Sequence, residues 1–138
     1  ISCTKTDYVN ESEWHYVNNT NKVIQVTFGD GSCNADEMTF ALAPKETYSF
    51  VVSSDSTTPD LTADDYSSPY SIFGATISVE GMGTKYFAGR DCSGFNGELQ
   101  SICDIKNYTP VKCSTNHFSF TYEFDIESFD ECKRSLLR

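Results

Sequence analysis

The stretch HFSFTYEFD, residues 117–125, decides the fold. Phe118, Phe120, Tyr122 and Phe124 alternate with Ser119, Thr121 and Glu123, so an extended chain turns every ring to one side and every polar group to the other. This is a half-buried antiparallel strand, because a one-residue slip would put three phenylalanines in water.

Working outward, KVIQVTFGDG (22–31) repeats the pattern with Ile24, Val26 and Phe28 and ends in the turn signal Gly29-Asp30-Gly31. The preceding EWHYVNNTN (13–21) offers Trp14 and Tyr16 on one face and then an Asn-rich turn, which predicts a hairpin over residues 13–28. In MTFALAPKETYSFVVSS (38–54), Pro44 splits two short strands, since proline cannot donate to a ladder. In YSIFGATISVEGMGTKYFAG (70–89), two strands are joined by Gly81-Met82-Gly83-Thr84. Residues 53–70, rich in Ser, Asp, Thr and Pro, read as an exposed loop. Residues 89–116 carry three cysteines and three glycines with little periodicity. From Asp125 onward the acidic DIESFDE predicts a short C-terminal helical turn with Asp125 as N-cap. Short strands with turn signals between them predict an all-β, antiparallel β-sandwich, immunoglobulin-like or transthyretin-like.

A chain of 138 residues suits one domain, and its 10 Phe, 8 Tyr and 1 Trp provide a core of large rings. The net charge of −10 repels polyanions, so nucleic acid is excluded as a partner, and an anionic membrane is met only through an anchor. No run reaches the 18 apolar residues of a membrane span.

Recognisable chemistry is absent from the linear sequence. Neither G-x-S-x-G nor H-E-x-x-H nor a phosphate-cradling glycine motif occurs. His15 and His117 lie in strand-like stretches away from any C-x-x-C pair, so neither a catalytic histidine nor a zinc site is expected, and no cofactor. The carboxylate pairs Asp64/Asp65 and Asp130/Glu131 sit in polar segments, as solvated surface acids do. A calcium loop over Asp30, Ser32, Asn34 and Asp36 fails where Ala35 and Ala41 replace the required Gly and Glu. Glycosylation sequons at Asn10, Asn18 and Asn107 are about as many as chance supplies. Among Trp14, Tyr16, Tyr66, Tyr70 and Tyr86, rings at strand spacing belong to the core, which leaves Tyr66 and Tyr70 as the candidates for surface contact with a protein or glycan.

The six cysteines, Cys3, Cys33, Cys92, Cys103, Cys113 and Cys132, point to an oxidising compartment. A local Cys103–Cys113 bond is expected because KNYTP between them contains a turn, although six cysteines allow 15 pairings. Cys3 has two readings. It is half of a disulfide, or it is a lipid-attachment site, in which case five cysteines remain and one is unpaired or bonded to another molecule.

Several motifs together carry a resemblance. SCTKTD (2–7), W-x-Y at Trp14, F-x-L-x-P-x-E-T at Phe40–Thr47, G-x-K-Y-F at Gly83–Phe87, K-N-Y-T at Lys106 and F-T-Y-E-F-D-I-E-S-F at Phe120 resemble small cell-envelope lipoproteins of Bacteroidetes, particularly of gut species. The resemblance implies acylation of Cys3, with residues 1–11 as lipobox remnant and flexible linker and residues 12–138 as a single β-sandwich domain. It implies export to the outer membrane or periplasm of a Gram-negative cell, and a non-catalytic binding or structural role. A secreted, disulfide-stabilised inhibitor or effector and a glycan-binding accessory protein are the alternatives.

Overall fold

The computed structural model describes residues 8–28, 38–56, 60–69, 74–87 and 101–125. The expected C-terminal helical turn, the Asp30–Asp36 loop, Asp130/Glu131, Tyr70 and the cysteines at 3, 33, 92 and 132 lie outside them. Within them the strands are β1 (Tyr8–Asn18), β2 (Ile24–Phe28), β3 (Met38–Leu42), β4 (Thr47–Ser56), β5 (Ala75–Val79), β6 (Gly83–Phe87), β7 (Thr109–Ser114) and β8 (His117–Phe124). They form two four-stranded sheets, ordered β4-β1-β8-β7 and β3-β2-β5-β6. The fold is an all-β sandwich.

The alternation in β8 does what the sequence predicts. Phe118, Phe120, Tyr122 and Phe124 are all buried, and in β2 so are Ile24, Val26 and Phe28. From β1, Trp14 stacks on Phe120 with centroids 4.5 Å apart, while Tyr16 meets Phe28 at 5.8 Å and Phe40 at 5.4 Å across the two sheets. Such ring pairs add stability beyond area burial. At the centre, the Tyr108 hydroxyl donates to the Ile102 carbonyl (2.7 Å) and accepts from the Tyr16 hydroxyl (3.0 Å). Burial, reinforced by Tyr16, pushes the Tyr108 phenol well above its ordinary pKa.

Several expectations are corrected. Residues 13–28 are not a hairpin, because β1 and β2 lie in different sheets. The Asn-rich turn is a corner between sheets, and fully buried Asn18 holds it. Its amide nitrogen donates to the carbonyls of Lys22 (2.7 Å), Leu42 (3.1 Å) and Ala43 (3.1 Å), and its Oδ1 accepts from the Thr20 amide (2.9 Å). One side chain thus ties the β1–β2 crossing to the β3–β4 crossing, where Pro44 and the left-handed Lys45 (φ 67°) make the expected bend. A glycan cannot reach Asn18 in the folded chain.

The sandwich is not wholly antiparallel. β1 and β8 are neighbours running parallel, with Trp14 opposite Phe120 and Glu13 opposite Ser119. Period-2 alternation sorts faces and carries no information on a neighbour's direction. β7 escaped notice because all its side chains are exposed, and it tolerates Pro110 as an edge strand should.

Residues 53–70 are not simply a loop. β4 continues to Ser56, and Leu61 and Tyr66 are buried, the Tyr66 ring lying 5.2 Å from Phe118 and 5.3 Å from Phe120. The segment is pinned where the Leu61 amide donates to Asn116 Oδ1 at 2.7 Å. Residues 8–11, expected to belong to a linker, are part of β1 and pair with β4.

Candidate functional site

The outward positions of β1 are Glu11, Glu13, His15 and Val17, because Ser12, Trp14, Tyr16 and Asn18 face the core. Ladder register then fixes their neighbours. Row by row across the sheet, Glu11 lies beside Ser53 and His117, Glu13 beside Val51 and Ser119, and His15 beside Ser49 and Thr121. Val111 on β7 pairs with Ser119 and extends the middle row.

Both histidines therefore converge on one carboxylate. His117 Nε2 is 2.5 Å from Glu13 Oε2, and His15 Nε2 is 3.5 Å from Glu13 Oε1. Glu11 Oε2 stands 3.9 Å from His117 Nε2, and Ser49 Oγ is 2.7 Å from His15 Nδ1. Glu13, His15 and His117 are half-buried, so the cluster is reachable from solvent. Large apolar side chains flank it, with Val51 59% and Val111 58% exposed.

Cys113 joins the same cluster through a break in the ladder. Register shifts between Lys112, opposite Phe118, and Ser114, opposite His117, so Cys113 is the extra residue of a bulge. Bulges re-aim side chains, and this one brings Sγ within 4.8 Å of ligand atoms of both Glu13 and His117. No C-x-x-C pair lies near either histidine, yet the sheet gathers a single cysteine, Cys113, four residues before His117 in the chain, with His117 and Glu13.

The sequence-derived sites fare differently. Cys103 and Cys113 are not joined to each other: Cys103 is buried with Sγ 4.0 Å from the Phe87 carbonyl, whereas Cys113 is exposed on an edge strand. The turn between them exists, at Ile105–Asn107, but it leads Cys103 into the core and Cys113 out of it. Tyr66 is a core residue at 7% exposure and not a surface contact. Trp14 and Tyr16 are buried as expected, and Tyr86 is exposed on the other sheet. Asp65 accepts from the Thr62 amide (2.7 Å) and caps a short turn.

The line Ser49–His15–Glu13 has the members of a nucleophile, base and orienting acid, and it is invisible in the linear sequence because Ser49 and His15 are 34 residues apart. Geometry weakens that reading. Ser49 sits mid-strand on an open face, where backbone N–H groups lie in the plane of the sheet and cannot aim at an oxyanion standing off it. No protein-family model matches the chain, and neither does any curated protein or solved structure.

Proposed function

We propose that this domain is the non-catalytic binding module of an exported, envelope-anchored lipoprotein, and that it meets a protein or glycan through the outer face of β4-β1-β8-β7. The observation that carries the reading is the convergence of Glu11, Glu13, His15 and His117 on that face, flanked by exposed Val51 and Val111. Hydrogen-bonding groups beside exposed apolar side chains are what a contact surface requires.

The anchor is supported by the resemblance of the opening residues to a lipobox. Cys3 is five residues from the start of β1 at Tyr8, a reach of at most about 18 Å. An acylated Cys3 would hold the N-terminal end of β1 close to the bilayer, and the multiple chains of a bacterial lipoprotein would keep it there.

Two measurements test the proposal. Mass spectrometry of the native N-terminal peptide should show acylated Cys3 without Ile1 and Ser2; an unmodified peptide keeping those residues would end the anchor and favour the secreted, disulfide-stabilised alternative. In producing cells, a photo-crosslinking side chain at Ser119 should capture a partner that the same probe at Thr76, on the opposite sheet, does not. Equal capture from both positions would remove the face assignment.

A further inference from the structure

We infer that Glu13, His117 and Cys113 form a binding site for a single transition-metal ion of the zinc class on the outer face of the β4-β1-β8-β7 sheet. The inference deepens the reading of that face as the contact surface and shares its location, but it needs neither anchor nor partner.

The donor set selects the ion. A thiolate, an imidazole and a carboxylate suit a borderline ion such as Zn²⁺, whereas Ca²⁺ and Mg²⁺ take oxygen ligands alone. The positions fit as well. One ligand atom from each of the three residues lies within 4.8 Å of the others. Bond lengths of about 2.0 Å to N and O and about 2.3 Å to S place tetrahedral ligands roughly 3.3–3.8 Å apart. His117 Nε2 and Glu13 Oε2, now 2.5 Å apart, must open by about 1 Å, and Cys113 Sγ, within 4.8 Å of both, needs to close by at most about 1.3 Å. Side-chain rotation suffices for both, because all three groups stand on the outer face.

Binding exchanges protons for metal. The ion takes the place between His117 Nε2 and Glu13 now spanned by their hydrogen bond; the proton of that bond leaves Nε2, passing to solvent from an imidazolium or exchanged for one on Nδ1 in a neutral ring, and the Cys113 thiol gives up its proton to solvent to become the thiolate ligand. Affinity therefore rises with pH. Three protein ligands leave a fourth position for water, to which Glu11, 3.9 Å from His117 Nε2, presents a second carboxylate. His15, 3.5 Å from Glu13 Oε1, is a positioning residue that orients the ligating carboxylate.

The bulge is an independent observation in favour of the site. A regular β7 would place Cys113 in the alternation of an edge strand; as the inserted residue its thiol, which now donates to the Val111 carbonyl at 3.8 Å, stands within 4.8 Å of ligand atoms of His117 and Glu13.

The test is titration of the purified, reduced, metal-free 138-residue chain with Co²⁺ alone, followed by competition with Zn²⁺. Expected is one ion per chain, with the visible bands of tetrahedral cobalt and a thiolate-to-cobalt charge-transfer band. Cys113→Ser should abolish the charge-transfer band while leaving the far-ultraviolet dichroism unchanged. Glu13→Gln and His117→Gln should weaken binding by more than about 100-fold, and His15→Gln by about 10- to 100-fold, the range typical of groups that orient a ligand. A wild-type chain that gives no charge-transfer band overturns the inference, as does a band that persists unchanged in Cys113→Ser. Either failure leaves the crosslinking contrast between Ser119 and Thr76 intact, so the two readings fall separately.

Discussion

On the outer face of β4-β1-β8-β7 stand Glu11, Glu13, His15, His117 and Glu123, whereas the outward positions of β3-β2-β5-β6 hold Gln25, Thr27, Thr39, Ala41, Thr76, Ser78, Thr84 and Tyr86. Both faces belong to strands with the same alternation. The second is a field of hydroxyls that satisfy one another, as in Ser78–Thr84 (2.9 Å) and Thr39–Thr27 (3.3 Å). The first is a field of titratable groups drawn together. β-branched threonine suits a solvated strand on conformational grounds alone, so the second face is explained by folding. Two acids beside two histidines gain nothing comparable from strand propensity, so folding alone does not explain the first face.

The comparison rests on both sheets contributing equally to the core, and the largest expected effect tests that. Phe120→Ala and Phe28→Ala should each cost about 3–5 kcal/mol in urea unfolding, one from each sheet. A loss under about 1 kcal/mol at Phe28 would mean that the second sheet is not the counterpart of the first. Next comes the corner joining the sheets. Asn18→Ala removes two N–H donors shared among three carbonyls and the oxygen that accepts from the Thr20 amide, and at about 1 kcal/mol for each group left unpaired the loss should reach about 2–3 kcal/mol. If the variant unfolds within about 0.5 kcal/mol of wild type, water replaces the amide and the corner is held by other bonds.

A smaller effect depends on pH. The Tyr108 phenol is raised in the folded state above the ordinary 10.0, so the native chain keeps a proton that the unfolded chain releases. Stability is then fully present below about pH 10 and declines above it, by at most about 1.4 kcal/mol per pH unit, until the folded phenol itself ionises. Alkaline unfolding curves of wild type and Tyr108→Phe should differ by that slope, and parallel curves would contradict the burial of the phenol. Smallest of all are the outer faces. Thr27→Val on one sheet and Glu13→Gln on the other should each change stability by about 1 kcal/mol or less, so that the two differ in cobalt binding far more than in unfolding. A Glu13→Gln loss above about 2 kcal/mol in thermal or urea unfolding would make the Glu13–His117 pair a structural element.

Much of the strand content was legible because alternation is local. Residues 117–124 announce one buried face whatever lies beside them, and so do 24–28. β7 was not legible, since TPVKCS has neither a buried face nor alternation and owes its extended form to pairing with β8. Leu61 and Tyr66 were hidden among acids and serines, where composition argued for a loop and only the packing against Phe118 and Phe120 shows otherwise. Of the candidate site, the outward pair Glu13 and His15 was readable from the alternation around Trp14 and Tyr16, but Glu11, expected in a linker, and the meeting with His117 were not.

By itself, the sequence determined the all-β class and the residues that must be buried, because the hydrophobic effect acts on each strand through a period that needs no knowledge of neighbours. It could not determine which strands are neighbours. Residues 13 and 117 are joined by the parallel pairing of β1 with β8, and Cys113 is turned toward them by a bulge whose existence depends on the register of β7 against β8. Pairing and register are set by closure of the whole sandwich, so the cluster of Glu13, His15, His117 and Cys113 exists only in the tertiary structure.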